Sequence, residues 1–468
     1  MGRGRDGCKS LPGEKDHVEG GIEQRGWGGL VAIRQQRAAG WGGFGPDSKV
    51  GDLEWEDAIT LSATVVEGDK YNYRWIKWLR CLVAHPTMGE TGTEHFRRMK
   101  KGDETTWSEL PEELLEIIAR RLTCLFDYVQ FGAVCQSWHS TMVNMHQHLT
   151  FWDPWLMLPE KQDKSMIRSF YILSKRNIFE LKLPEAHAKR CIGSSKGWLV
   201  MVDVSLSIQL LNPYTRVQFQ LPHQLTFQDQ NNFAQGYTSE ELRDFFILKV
   251  VLSSSPSNPD YISIAIYSDW GKLAIARSGD EVWTTIPSEW FAFTDVIYYK
   301  EQFYAINWNG EVVSCDVGAH PKTTLITTPV RESYGQKYLV ECSGELLQVI
   351  REVIFEDAPH KTIWFSVFKL DFYKKLWVEI KSLGDHSLFL GYNNSFSFCC
   401  NDSSATGVKR DCIYFTDDYL EAHQGLQNEW AGSDMGVFHL EDGRIEPHYS
   451  GYACHPFSLP IWYTPNIG

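Results

Sequence analysis

Between Trp107 and Met142 the chain reads WSELPEELLEIIARRLTCLFDYVQFGAVCQSWHSTM, and its apolar residues recur at helical spacing. Leu114, Ile117, Ile118 and Leu122 stand at i, i+3, i+4 and i+8, which predicts a helix with one apolar stripe. Pro111 sits where a first helical turn tolerates it. Glu112 and Glu113 follow at the positive end of the helix dipole, and Arg120 and Arg121 come near the negative end. Asp127, with Gln130 three residues on, has the form of a capping box. Tyr128, Phe131, Val134, Cys135 and Trp138 continue at helical spacing and predict a second helix packed on the first. So short a unit cannot bury a large core alone, and its surplus apolar surface calls for a partner or for the rest of the chain.

From about residue 164 to 450 the period changes. Short apolar runs flank turn dipeptides: FYAINW before Asn309-Gly310 and EVVSCDV after it, YLVEC before Ser343-Gly344 and ELLQVI after it, GVFHLE before Asp442-Gly443. Such dipeptides between strand-like runs signal hairpins. YISIAIYSDWGKLAIARSGDEVWTTI adds further strands around Gly271 and Gly279. No long helical pattern intervenes, which excludes a parallel α/β sheet. Repeated antiparallel units of this size predict a β-propeller, in which radial closure protects sheet edges, with a β-sandwich as the structural rival. The lone Trp152-Asp153 does not support a WD40 array.

Residues 1–103 begin Gly-rich and Arg-rich and show no sustained periodicity, so a largely disordered extension is expected there. One piece, YNYRWIKWLRCLVAH, has Trp75, Trp78, Leu79 and Leu82 at the spacing of a short amphipathic helix. A start at Met99 would leave this extension outside the native protein. The expected organisation is therefore α+β and multidomain: the extension 1–103, a small all-α unit at 104–150, an all-β propeller at 164–450 and a tail at 451–468.

Composition narrows the chemistry. The net charge of −14 over 468 residues argues against nucleic acid as a main partner, since phosphate binding needs a concentrated basic face. The 11 cysteines are scattered, with no C-x-x-C pair, and suit buried thiols of a reducing compartment rather than a disulfide framework or a zinc site. Adjacent Cys399 and Cys400 would point to opposite faces of a strand. No apolar run is long enough to cross a bilayer and no signal-peptide core is present, so a cytoplasmic or nuclear protein is expected, without metal, cofactor or membrane contact.

Gly193-Ser194-Ser195-Lys196-Gly197 fits the G-x-S-x-G pattern of serine hydrolases. That pattern carries chemistry only as a strand, a sharp turn and then a helix. Here Trp-Leu-Val-Met-Val-Asp-Val follows, which reads as a strand, so a glycine-containing turn is expected and Ser195 is not taken as a nucleophile. The pair Asp417-Asp418 could suggest acid/base work, but its place at a strand end reads as a turn.

The order Leu110-Pro111, Leu114, Ile117/Ile118, Leu122, Asp127, then Val134-Cys135-x-x-Trp138 resembles the F-box, the helical motif that binds the Skp-type adaptor of cullin-RING ubiquitin ligases. GSSKGWLVMVD, LLNPYTRVQFQLP, DVIYYKEQFYAINWNGEVVSCD, KLWVEIKSLGDHSLFLG and CIYFTDD resemble the plant family whose F-box precedes domain of unknown function 295, a kelch-like, KIB-type β-propeller. In that family Gly193 to Gly197 opens a propeller strand. The resemblance implies the substrate-recognition subunit of an SCF-type ubiquitin ligase, with no catalytic residue of its own. Its helices would hold the adaptor, and through it a cullin, while the propeller holds a protein target. Adaptor contacts are expected among Leu110, Pro111, Leu114, Ile118, Leu122, Val134, Cys135 and Trp138. Leu110 and Pro111 are the first choices for the interface, and Trp138 for the core. A scaffold acting outside ubiquitination, or a hydrolase using Ser195, are the alternatives. Trp270 and Trp308 are candidate substrate contacts only as aromatic anchors, and a packing role is expected first.

Overall fold

The apolar runs that follow Trp155 pair into hairpins, and the hairpins stack as six sheets around an axis, a six-bladed β-propeller. The computed structural model describes residues 110–120, 122, 128, 131–132, 134–145, 154–160, 166–228, 236–330, 335–354, 360–400, 407–418, 434–449 and 458–466. All of these lie in the unit Pro86–Gly468. The expected extension 1–103, its Trp75 to Leu82 helix, the Asp127–Gln130 cap and Trp152-Asp153 fall outside the described residues.

The first blade holds β1 (Trp155–Met157), β2 (Ile167–Ile172) and β3 (Asn177–Lys182). The second holds β4 (Arg190–Ser195), β5 (Trp198–Val202), β6 (Ile208–Leu211) and β7 (Gln218–Gln220). The third holds β8 (Ile247–Leu252), β9 (Ile262–Tyr267), β10 (Lys272–Arg277) and β11 (Thr284–Thr285). The fourth holds β12 (Phe293–Tyr299), β13 (Gln302–Asn307), β14 (Val312–Asp316) and β15 (Lys322–Thr327). The fifth holds β16 (Gln336–Cys342), β17 (Glu345–Ile354), β18 (Lys361–Asp371) and β19 (Leu376–Ile380). The sixth has five strands, β20 (His386–Leu390), β21 (Phe396–Cys399), β22 (Cys412–Phe415), β23 (Gly436–His439) and β24 (Ile445–Glu446), in the order β21-β20-β22-β23-β24 with β20 and β22 parallel.

The last strand, β25 (Ile461–Tyr463), returns to lie antiparallel along β1, with Leu156 opposite Trp462. The sheets therefore run from Trp155 to Tyr463, beyond the expected 164 and 450 at both ends. Closure is the reason. One sheet built from both ends of the chain ties the last blade's exit to the first blade, and three-residue strands such as IWY are too short to announce themselves by alternation.

Inter-blade packing explains why strands such as WLVMV carry no polar face. In β5, Trp198, Val200 and Val202 pack toward the third blade on Val250, Ala265 and Trp283. The alternate residues Leu199 and Met201 pack toward the first blade on Trp155, Phe170 and Tyr463. A strand buried on both faces needs apolar residues at every position. In β9, Ile264 and Ile266 join the seam with the fourth blade while Ala265 and Tyr267 join the seam with the second. The ring closes where Trp462 meets the Phe389 ring edge-on at 4.9 Å. A two-layer sandwich is thereby ruled out.

The predicted hairpins form at their dipeptides. Asn309-Gly310 joins β13 to β14, Ser343-Gly344 joins β16 to β17, and Asp442-Gly443 joins β23 to β24. Ser343 and Gly344 both have positive φ, 53° and 77°, as a two-residue primed turn requires.

Ahead of the propeller the described residues form α1 (Glu112–Ala119) and α2 (Gln136–Met145), which pack on each other. A third helix, α3 (Ser239–Phe245), stands between the second and third blades behind a Thr238/Glu241 capping box. The second helix expected through Tyr128 to Trp138 is interrupted. Tyr128, Phe131 and Gly132 are helical, Val134 and Cys135 are not, and the helix resumes at Gln136. The break is local: Val134 N–H bonds back to Phe131 O at 3.2 Å, and Cys135 O accepts the first α2 bond from His139 N–H at 2.9 Å.

Candidate partner-binding surfaces

Pro111 caps α1 in an extended conformation, φ −53° and ψ 142°, so its missing N–H falls where no intrahelical bond would form. Glu112 and Glu113 occupy the first turn, as the helix dipole favours. The stripe of α1 is satisfied within the chain: Leu114, Leu115, Ile118 and Ala119 are buried, as are Leu110, Leu122, Tyr128, Phe131 and Trp138. Phe131 and Trp138 meet at 4.6 Å between ring centres. Tyr128 donates its hydroxyl to Met142 O at 2.5 Å, and burial pushes the phenol up to about 12. A Cβ at Gly132 would lie 2.2 Å from Met142 Sδ, so any larger residue there would displace the Met142 side chain.

The structure thus sorts the eight residues expected at the adaptor interface. Leu110, Leu114, Ile118, Leu122 and Trp138 are core, and Pro111, Val134 and Cys135 reach the surface, with Val134 42% exposed. Leu110, a first choice for the interface, is 3% exposed, and Trp138, a first choice for the core, is 2% exposed.

On the propeller the G-x-S-x-G segment ends β4 and turns into β5, rather than opening a strand as the family resemblance implied. Lys196 and Gly197 have φ of 53° and 82°, and a Cβ on Gly197 would lie 2.2 Å from Asn466 Cβ. Ser195 is buried, and its Oγ accepts Leu252 N–H at 3.1 Å across the seam to the third blade. No helix follows it. Ser343 Oγ stands 3.2 Å from His386 Nε2, but among the described residues no carboxylate orients that ring.

The Asp417-Asp418 pair follows β22 as expected, yet it is not a surface turn. Asp418 bonds Arg351 Nη1 at 2.9 Å and Asp417 bonds His360 Nε2 at 2.9 Å. Arg351 is fully buried and uses its whole fork, on Asp418, Asp434, Thr416 O, Thr362 Oγ1 and the Tyr338 hydroxyl. Burial alone would lower its pKa; Tyr338, Asp434 and Asp418 outweigh that and raise it. This network pins the fifth blade to the sixth. A second one lies on the inner strands, where Asp295 of β12 bonds Lys249 Nζ of β8 at 2.5 Å, Leu339 N–H of β16 at 2.8 Å and Ser395 Oγ at 3.5 Å.

Neither network was expected from hydrophobic patterning, although part of the signal is present: Lys249 in ILKVVL and Asp295 in FTDVIYY are lone charges inside apolar strands, and Arg351 stands beside Glu352 in LLQVIREVI. Every charge in these networks is already paired, so they hold the platform rather than offer an open reactive group. Among the described residues no group of three or more His, Cys, Asp or Glu is placed to hold a metal, and no helix is long and apolar enough to cross a membrane.

Trp270 and Trp308 part company. Trp308 is half-buried, its carbonyl accepting Lys337 Nζ at 2.6 Å. Trp270 is 65% exposed and lines an open groove of about 360 Å³ with Trp290, Phe291 and Pro287. The packing role expected first for both holds in part for Trp308 and fails for Trp270.

With this geometry the chain can be set beside known proteins. The KIB1-4 beta-propeller family matches residues 170–439, more than half of the chain. The chain belongs to that family. Curated relatives in Arabidopsis thaliana include F-box protein SKIP23, 28% identical over 76% of this chain and 95% of its own length. F-box protein At2g17036 is 27% identical over 76% and 95%, and putative F-box protein At3g25750 is 27% identical over 77% and 99%. Among solved structures, the β-propeller domain of Cps50 (Swd1) from Myceliophteria thermophila is 10% identical, with a TM-score of 0.32 over 64% of this chain and 90% of that one. Within the KIB1-4 family, then, this chain combines a six-bladed propeller with relatives that bear the F-box name.

Proposed function

We propose that this protein is the substrate-recognition subunit of an SCF-type ubiquitin ligase. In this reading the helical segment at 104–150 is an F-box that binds a Skp-type adaptor and through it a cullin, and the propeller holds a protein target. One observation carries the reading: relatives named F-box proteins align over 95–99% of their length and over 76–77% of this chain, more than the propeller's residues 155–463 alone can supply. The alignments therefore extend ahead of Trp155 into the stretch that holds the two packed helices. The protein's contribution is proximity. A target held beside a charged ubiquitin thioester reacts at a raised effective concentration, and the receptor needs no catalytic group. It would work in the cytoplasm or nucleus.

In this assignment the buried residues Leu110, Leu114, Ile118, Leu122 and Trp138 shape the surface, and Pro111, Val134 and Cys135 touch the adaptor. The test is capture of the full chain by the purified adaptor, comparing wild type with a Pro111→Ala, Val134→Glu double variant. Both positions are at the surface, so the fold should persist while capture falls at least about tenfold. Failure of folded wild type to bind, or equal binding by the variant, would refute the assignment.

A further inference from the structure

Among the described residues, the seam between the third and fourth blades carries two exposed aromatic rings side by side, Trp270 and Phe291. The β9–β10 turn places Trp270 beside Phe291 of the segment that enters β12, ring centres 6.5 Å apart and nearly perpendicular. These rings are 65% and 60% exposed, and Trp290 is half-buried beside them. The backbone beneath is fixed: Ala292 N–H bonds Trp270 O at 2.7 Å, Phe293 N–H bonds Gly271 O at 3.0 Å, and Trp290 N–H bonds Ser288 Oγ at 3.1 Å. Exposed rings held on so rigid a base bind at low entropic cost.

The charges around the groove say what kind of partner fits. Asp269 immediately precedes Trp270, and Glu289 immediately precedes Trp290. Both side chains are exposed, and neither has a hydrogen-bond or ion-pair partner among the described residues. Lys272, which also lines the groove, is half-buried and already engaged. These carboxylates, one residue along the chain from Trp270 and Trp290 though outside the groove lining, complement a cation by charge, and the exposed Trp270 face does so by cation–π attraction. The net charge of −14 adds long-range attraction for a basic partner.

We propose that the Trp270–Phe291 groove is the target-docking site, and that it takes an extended protein segment in which a Lys or Arg stands beside an apolar residue. The apolar side chain fills the groove between Trp270, Trp290 and Phe291, and the cation lies over an indole face between Asp269 and Glu289. This rests on the receptor reading for its biological use but not for the binding itself.

The full-length protein is used to select from a displayed library of random 12-residue peptides, with Trp270→Ala protein as the counter-selection. Recovered sequences should carry Lys or Arg next to an apolar residue. They should bind the Trp270→Ala protein at least about tenfold more weakly. Binding should also weaken several-fold in an Asp269→Asn, Glu289→Gln double variant, which keeps side-chain shape, and its salt dependence should be reduced there. Recovery of no sequence above the counter-selection, recovery of acidic or uncharged sequences, or undiminished binding to either variant overturns the proposal. Adaptor capture separates the two ideas. Peptide binding without adaptor capture counts against the receptor reading alone, and adaptor capture without peptide binding counts against the groove alone.

Discussion

Replacing Asp295 by Ala tests whether the charged residues on the inner strands hold the ring together. Asp295 is fully buried in β12, and its carboxylate accepts Lys249 Nζ at 2.5 Å, Leu339 N–H at 2.8 Å and Val296 N–H at 2.8 Å. Those contacts join the inner strands of the third, fourth and fifth blades, and Ser395 adds the sixth. The substitution leaves Lys249, 5% exposed, as an unpaired buried ammonium, and strips Leu339 N–H of its side-chain acceptor. Breaking a buried pair in this way costs about 3–5 kcal/mol. For a propeller of this size the melting temperature should fall by on the order of 10 °C. Urea unfolding followed by tryptophan fluorescence gives the free energy directly. The decisive variant is the pair Lys249→Met, Asp295→Leu. If the single loss comes from an orphaned charge, removing both charges should cost clearly less than the two singles summed. A loss below about 1 kcal/mol for Asp295→Ala, or a double variant that equals the sum, would refute the reasoning.

Ser195→Ala should destabilise by about 1–3 kcal/mol, because Leu252 N–H loses its buried acceptor, and should leave any trace esterase activity of the preparation unchanged. A thermal melt and an ester assay on one sample decide it; a drop in turnover without a drop in stability would revive the nucleophile. Arg351→Met should leave the Asp418 and Asp434 carboxylates facing each other without their shared cation and cost about 3–5 kcal/mol in the same urea assay. His448 makes stability depend on pH. Burial lowers its imidazole to about 4, against about 6.5 in the unfolded chain, so on acidification the unfolded state takes up the proton first. The His448 contribution is full above about pH 6.5 and is lost as the pH falls toward 4, by up to about 3 kcal/mol. His448→Asn should flatten the urea midpoint between pH 7.5 and 5, and an unchanged slope would count against the assignment.

Local turn chemistry was the most legible feature. Asn309-Gly310, Ser343-Gly344 and Asp442-Gly443 each mark a hairpin that forms, because positive φ at a turn is a requirement of single residues. The class of fold was also readable, since strands buried on both faces leave runs such as WLVMV with no polar phase. Closure was not readable. Pairing Leu156 with Trp462 joins residues about three hundred positions apart, and no local pattern encodes a partner at that distance. In the helical segment the period showed the stripe but not its direction. Leu110 sits just ahead of a helix and so looks available, yet three-dimensional packing turns it inward and leaves Val134 outside. Trp270 was named as an aromatic anchor but a packing role was expected first for a similar reason: an aromatic residue in a β-rich chain is core far more often than not, and only its place on a turn at the end of a seam sets it apart.

Both kinds of buried charge bear on how such a ring can serve as a platform. Apolar seams between blades are non-directional, and by themselves would tolerate sliding or a change of tilt between neighbours. The Asp295 contacts cannot slide, because a carboxylate that accepts from β8, β12 and β16 at once has one geometry, and the Arg351 fork fixes the fifth and sixth blades in the same way. β25 then joins the end of the chain to its first blade, so that no blade can leave without unpairing a sheet. A turn such as Ser268–Gly271 on that ring is consequently held to a fixed position while its exposed residues remain free of any structural duty. Side chains there can change with little effect on the fold, so such a turn can carry a binding contact without costing the ring its geometry.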